Sequence, residues 1–364
     1  MRRRLAIAFA SSFLAAGCQS GDVSLRPNPP VVTPTPTALP TRTPVPTATP
    51  THAPTATPTP APTATPTPVS DVVTEYSIPT ANSRPADIAA GPDGALWFTE
   101  GLAGKIGRIT TAGSITEYPL PNSGSDPFSI TDGPDGALWF DESTGNKIGR
   151  ISTSGAITEY PLPFADSFPF AITQGPDGAL WFVEEGIGYI GRITTGGAIT
   201  QFAIPSGTSS EDAGIAAGSD GALWFTESSA NKVGRISTSG SIVEYPLPTP
   251  NSGPIFIAAG PDGALWFTEV GANKIGRITT SGSISEFAIP TAGATPYYIT
   301  AGPDGALWFT EQSAAQVGRI TTTGAVTEYP IHTSGSEPYG ITAGPDGALW
   351  FADFGAGKIG RIHP

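Results

Sequence analysis

Seven carboxylates stand at matching places in the chain. Glu100, Glu142, Glu184, Glu227, Glu269, Glu311 and Asp353 each close a segment that begins Leu-Trp-Phe. Mg²⁺ and Ca²⁺ take carboxylate oxygens, so a ring of such acids could hold a cation. The other reading is an ion pair with the equally repeated Arg108, Arg150, Arg192, Arg235, Arg277, Arg319 and Arg361. Sevenfold repetition favours the ion pair, because a specific site needs asymmetry. The residues that break the pattern are therefore the better site candidates. A second repeated position, a few residues ahead of each Gly-Pro-Asp-Gly, holds Ala86, Phe128, Phe170, Ala213, Ile255, Tyr297 and Tyr339 in turn. Four of these are aromatic and two are alanine. Phe128, Phe170, Tyr297 and Tyr339 beside acids could grip a sugar, a peptide or a cationic small molecule, or they could plug whatever opening they surround.

The elements that position these residues follow from the repeat. GPDGALWF occurs six times and GSDGALWF once. The seven tryptophans, Trp97 to Trp350, are spaced 42, 42, 43, 42, 42 and 42 residues apart. Such a period marks a repeat architecture. Each unit contains four strand-like pieces, in one unit PFSITDG, ALWFDE, NKIGRIST and AITEYPLP. Pro-Asp-Gly supplies a turn between the first two: Pro presets φ, Asp bonds nearby backbone and Gly accepts positive φ. The repeated Asp93, Asp135, Asp177, Asp220, Asp262, Asp304 and Asp346 are read as turn residues. Leu-Trp-Phe is apolar at consecutive positions, which suits a strand buried on both faces. Four short strands per unit predict an all-β, seven-bladed propeller. The propeller begins with a fourth-strand sequence, Val73-Thr74-Glu75-Tyr76, and ends on a third strand, Lys358–Ile362. The N-terminal strand is therefore expected to complete the last blade and close the ring. The start of each first strand and the end of each second strand then share one edge, around one mouth of the channel.

GPDGALWFTE followed by NKIGRIT and ITEYPLP resembles the virginiamycin B lyase (streptogramin lyase) family over essentially all of 72–364. WD40 repeats would show Gly-His and Trp-Asp pairs instead. The resemblance implies a propeller whose active members open the ester ring of type B streptogramins by elimination. They use Mg²⁺, two histidines at the first-strand position of two successive late blades, and a glutamate closing the second strand of the later one. The matching positions here hold Tyr297, Tyr339 and Asp353, with Glu311 one blade earlier. Only three histidines exist: His52, His332 and His363. Abstracting a carbon-bound proton near neutral pH suits imidazole far better than phenol, whose unperturbed pKa is about 10. Tyr297, Tyr339 and Asp353 stay as catalytic candidates, and Glu311 with Asp353 as candidate Mg²⁺ ligands.

The remainder of the chain divides at residue 71. Residues 1–18 read as a lipoprotein signal peptide: Arg2, Arg3 and Arg4, an apolar run too short to span a membrane, then Leu14-Ala15-Ala16-Gly17-Cys18, which resembles a bacterial lipobox. This predicts lipidation of Cys18, the one cysteine, and so no internal disulfide. Gln19 implies the outer membrane if the host has one. Residues 19–70 contain a Pro/Thr-rich stalk with almost no large apolar side chains, whose roughly 40 proline-rich residues at about 3.1 Å each could reach on the order of 120 Å. The propeller, 71–364, carries 13 basic and 30 acidic residues, a formal charge of −17. Such a surface repels phosphate backbones and argues against nucleic acid as a partner. The fourth unit departs from the others at Ser206–Asp212, with an added residue and Glu211 beside Asp212. A lipid-anchored monomer is expected, acting as a non-catalytic binding or scaffold protein. The alternatives are a Mg²⁺-dependent C–O lyase with non-standard residues, and a structural envelope protein without a ligand.

Overall fold

The computed structural model describes residues 73–207 and 213–364. The signal peptide, Cys18, the stalk and most of the Ser206–Asp212 irregularity lie outside the described residues. Seven four-stranded antiparallel sheets form the blades of a propeller, and no helix occurs among the described residues. Blade 1 runs Pro85–Ala90, Leu96–Glu100, Lys105–Ile109 and Ile115–Pro119 from the innermost strand outward. Blades 2 to 6 repeat this order. Blade 7 takes Pro338–Ala343, Leu349–Asp353 and Lys358–Ile362 from the C-terminal end and Val73–Ser77 from the N-terminal end. That closing pair runs from Val73 opposite Ile362 to Ser77 opposite Lys358. Ring closure by the N-terminal strand is thus as expected, and it leaves the outer edge of blade 7 covered like the others.

The blades stack through the Leu-Trp-Phe strands. Leu96, Trp97 and Phe98 are all fully buried, as are their six counterparts. Side chains alternate across a strand, so consecutive buried residues require cover on both faces. Neighbouring blades provide it: Trp97 and Ile106 of blade 1 pack with Ile130, Leu138 and Phe140 of blade 2. Gly107, opposite Phe98 in the sheet, must be glycine. A Cβ there would lie 2.0 Å from the Phe98 ring.

The Gly-Pro-Asp-Gly turn does more than reverse the chain. Gly94 adopts φ +73° and its N–H bonds Gly91 O at 3.2 Å. Asp93 then accepts the Trp97 Nε1 proton at 3.1 Å on Oδ1 and the Arg108 Nε proton at 2.7 Å on Oδ2. The same two contacts recur in every blade. The repeated Arg series therefore pairs with the turn aspartates and not with the acids that close the second strands. Side-chain parity explains this correction. Arg108 lies opposite Trp97 and shares its face, whereas Glu100 lies opposite Lys105 on the other face.

Candidate functional site

Six of the seven first strands carry a bulge near their start; the described part of blade 4's first strand, Ile215–Ala217, pairs without one. In blade 1 the register jumps between Pro85 and Ile88, and equivalent jumps occur in blades 2, 3, 5, 6 and 7. A bulge leaves a residue unpaired and re-aims side chains. Here it sends two successive positions toward the axis, not one. Tyr298 accordingly meets Phe256 of the preceding blade, with ring centroids 3.5 Å apart.

The aromatic candidates form a continuous plug. Phe128 stacks on Phe170 at 4.3 Å, Phe170 lies 5.8 Å from Phe256, Phe256 5.4 Å from Tyr297, and Tyr297 4.7 Å from Tyr339. Tyr339 closes the circuit, 6.3 Å from Phe128, and stacks outward on Phe354 at 4.6 Å. Burial divides the four candidates. Phe170 is 0% exposed and Tyr297 8%, so these two pack beneath the surface. Phe128 and Tyr339 are half-buried and remain at the mouth.

Under the plug lies a polar layer that the sequence reading did not single out. Asp87 Oδ2 accepts from Ser129 Oγ at 2.9 Å and from Ile130 N at 3.0 Å in the next blade. Asp141 accepts from Phe128 N and Ser129 N, both at 3.1 Å. In blades 1, 4, 5 and 6 the position of Asp141 is a threonine, whose hydroxyl accepts from the first strand. Burial raises the Asp87 carboxyl to about 6 and pushes Asp141 well up, against the hydrogen bonds that favour their charged forms. Burial, and then neighbouring charges that include Asp87 and Asp141, also push the Tyr298 hydroxyl well up.

A cleft lies beside the plug, at the junction of blades 7 and 1. It holds about 280 Å³ and is lined by Asn82, Arg84, Glu337, Phe354 and the Gly355–Gly357 turn. The Arg84 guanidinium sits over the Phe354 ring, 5.1 Å from its centroid. Arg84 is exposed and holds φ +53°, uncommon for a non-glycine residue. Twelve of the thirteen basic residues of 71–364 form ion pairs within their own blade. Arg84 is the one that forms none among the described residues. This was legible: it is the only basic residue outside the two repeated series.

The second-strand acids are buried inside the blades. Glu100, Glu142, Glu184, Glu269, Glu311 and Asp353 are 0% exposed and Glu227 1%. Glu311 and Asp353, the candidate metal ligands, sit in different blades. Asp353 Oδ1 is occupied by Glu337 N at 2.9 Å and Ala356 N at 3.0 Å, so it fixes the wall of the Arg84 cleft. Burial, then repulsion from Glu328, raises the Glu311 carboxyl to about 8. Among the described residues no group of three or more His, Cys, Asp and Glu side chains could hold a metal ion. His332 and His363 are both exposed, one at the edge of blade 7's entry loop and the other one residue from the chain end.

The profile of the virginiamycin B lyase family matches residues 67–213 and 206–364. The chain belongs to the virginiamycin B lyase family. A streptogramin B lyase structure is 44% identical, with 80% of this chain and 97% of that one covered and a TM-score of 0.77. Selenomethionine-substituted virginiamycin B lyase from Staphylococcus aureus is 45% identical, with coverage of 80% and 99% and a TM-score of 0.77. A catalytically inactive histidine-to-alanine variant of the S. aureus lyase with quinupristin is 46% identical, covering 80% and 99%, with a TM-score of 0.76. Hydrazine synthase of Kuenenia stuttgartiensis, 16% identical with a TM-score of 0.66, shares the fold.

Proposed function

We propose that this family member is a non-catalytic binding propeller, displayed outside the cytoplasmic membrane on its Pro/Thr-rich stalk by a lipidated Cys18. The observation that carries this reading is the packing of Tyr297 and Tyr339. At the positions where the family resemblance puts the catalytic histidines, two phenols are built into an aromatic plug. A similar lyase from S. aureus is inactive when one histidine becomes alanine. Phenols are poor bases at neutral pH, and the plug leaves Tyr297 no room to meet a substrate.

The binding face is the Arg84–Phe354–Glu337 cleft. An exposed guanidinium over an aromatic ring, with Glu337 also lining the cleft, suits a small polar ligand such as a glycan or a short peptide. Thermal unfolding with a panel of glycans, peptides and cyclic depsipeptides tests it. A ligand that binds the native state raises the midpoint with its concentration, and Arg84→Ala should remove the rise. A panel that shifts nothing, or a shift that Arg84→Ala leaves intact, counts against the cleft.

The second reading is a Mg²⁺-dependent lyase, favoured by 44–46% identity to streptogramin lyases. It would use Tyr339 at the mouth and the buried Asp353. Ring opening of a type B streptogramin that EDTA stops and Tyr339→Phe abolishes would establish it.

A further inference from the structure

Six of the seven blades place an inner acid, from the second strand, on the same face as an outer acid from the fourth strand; in blade 3 the outer residue is Gln201. In five blades a lysine at the start of the third strand joins them. Lys105, Lys147, Lys232, Lys274 and Lys358 pair with Glu117, Glu159, Glu244, Glu286 and Glu75 at 2.5–3.1 Å. In blades 1, 5 and 7 the ammonium also touches a threonine hydroxyl of the entry loop, Thr80 at 2.5 Å, Thr249 at 2.7 Å and Thr333 at 3.3 Å. The cation thus sits in a nest made only of oxygen atoms.

Two blades lack the lysine, and they differ. Blade 3 has Tyr189 in its place, and the outer acid has changed too, to Gln201. The Gln201 amide donates to both Glu184 oxygens at 2.9 and 2.7 Å. Cation and anion have been lost together. Blade 6 has Gln316 in place of lysine but keeps both Glu311 and Glu328. Thr291 holds the place of Thr80 and Thr249, and its N–H donates to Glu328 Oε1 at 2.9 Å as theirs do to Glu117 and Glu286. The oxygen nest is therefore retained without its cation. Glu311 is 0% exposed and its oxygens, like those of Glu100, Glu142 and Glu269, are left without a donor group; those three have a lysine beside them, whereas Glu311 faces the Glu328 carboxyl alone. The buried Oε1 of Gln316 has no donor either.

We propose that blade 6 binds a hard divalent cation, of the Ca²⁺ class, between Glu311, Glu328, Gln316 Oε1 and the Thr291 hydroxyl. Two carboxylates match a double positive charge, and all the donors are the oxygens such ions take. The lysines at this place in the other blades are 24–28% exposed, so solvent reaches it and water can complete the coordination. The site is structural: it stands where an ammonium does the same work elsewhere in the ring. It is independent of the Arg84 cleft.

The five lysine blades provide the test. Full-length protein is titrated with CaCl₂ by calorimetry, and its unfolding midpoint is followed at rising CaCl₂. The wild type should take up one equivalent of Ca²⁺ and gain several degrees. Gln316→Lys, which installs the residue five blades already carry, should bind no Ca²⁺ and match the calcium-loaded wild type in stability without the ion. Glu328→Gln should also lose binding, whereas Arg84→Ala should keep it. A wild type that binds no Ca²⁺, or a Gln316→Lys variant that binds as the wild type does, would overturn the proposal. In that case the Gln316 amide turns to hold the two carboxyls directly, as Gln201 holds Glu184.

Discussion

Tyr339 stacks on Phe354 with ring centroids 4.6 Å apart and an interplanar angle of 24°, and the Arg84 guanidinium also sits over the Phe354 ring, 5.1 Å from its centroid. One ring thus belongs to both the channel plug and the cleft wall. Phe354→Ala should remove the stack and the cation–π contact together. The expected loss is about 1–2 kcal/mol of stability, the sum of two modest aromatic interactions. Any ligand of the cleft should bind at least tenfold more weakly. Urea unfolding and ligand titration on the same variant check both.

The turn aspartates should respond differently to two substitutions. Asp262 accepts from Trp266 Nε1 at 3.1 Å and from Arg277 Nε at 2.7 Å. Asn keeps an acceptor for the indole and loses only a partly exposed ion pair, about 0–1 kcal/mol. Ala also leaves the indole N–H without its partner, about 1–3 kcal/mol more. Denaturant midpoints of Asp262→Asn and Asp262→Ala should therefore separate clearly. Equal midpoints would show that the indole bond contributes nothing.

Stability should peak on the acid side of neutrality. Burial, and then Glu117, raises the Glu100 carboxyl to about 8, and burial, then Glu286, raises Glu269 to about 7. As pH climbs from the ordinary 4.5 toward those values, the unfolded chain loses protons that the folded chain keeps, so the fold weakens. The turn aspartates act in the opposite sense. Burial works against them, but hydrogen bonds from Trp97 and Arg108 outweigh it and hold Asp93 below 3.8. Their contribution is lost as pH falls through that lowered value. Melting midpoints across pH 3–9 should be highest near pH 4–5 and fall toward pH 8. Glu100→Gln should raise the midpoint at pH 8 and leave it nearly unchanged at pH 5.

Removing the closing strand should be severe. Val73–Ser77 supplies all five pairs on the outer edge of the Lys358–Ile362 strand, and Lys358 reaches Glu75 at 3.0 Å. Its Tyr76 stacks on Trp350 at 5.5 Å. A chain truncated before Ile78 should unfold at much lower denaturant, with a broadened transition, and expose an edge able to pair with a second copy. Light scattering beside the unfolding curve would report that association.

Much of the architecture was legible because the repeat states it seven times. Period, turn chemistry and the misplaced fourth strand together specify blade number and closure. Charge pairing was harder to read. Arg108 and Lys105 look interchangeable in sequence, yet strand parity sends one to the turn and the other to the paired acids. The polar layer was hidden because alternation places Asp87 and Tyr298 between blades, and the bulge that turns them inward has no sequence mark beyond the preceding proline. Arg84 stands outside the two repeated basic series, but Phe354 falls at a position that varies from blade to blade, and the meeting of the two across the ring junction depends on closure.

Incubating the protein at stoichiometric concentration with quinupristin and Mg²⁺, and separating cyclic from ring-opened product by chromatography, tests the central claim most directly. The packed Tyr297–Tyr339 pair leads us to expect the cyclic form to persist unchanged. Ring opening that EDTA stops and Tyr339→Phe abolishes would contradict it and make this propeller a lyase with a new base.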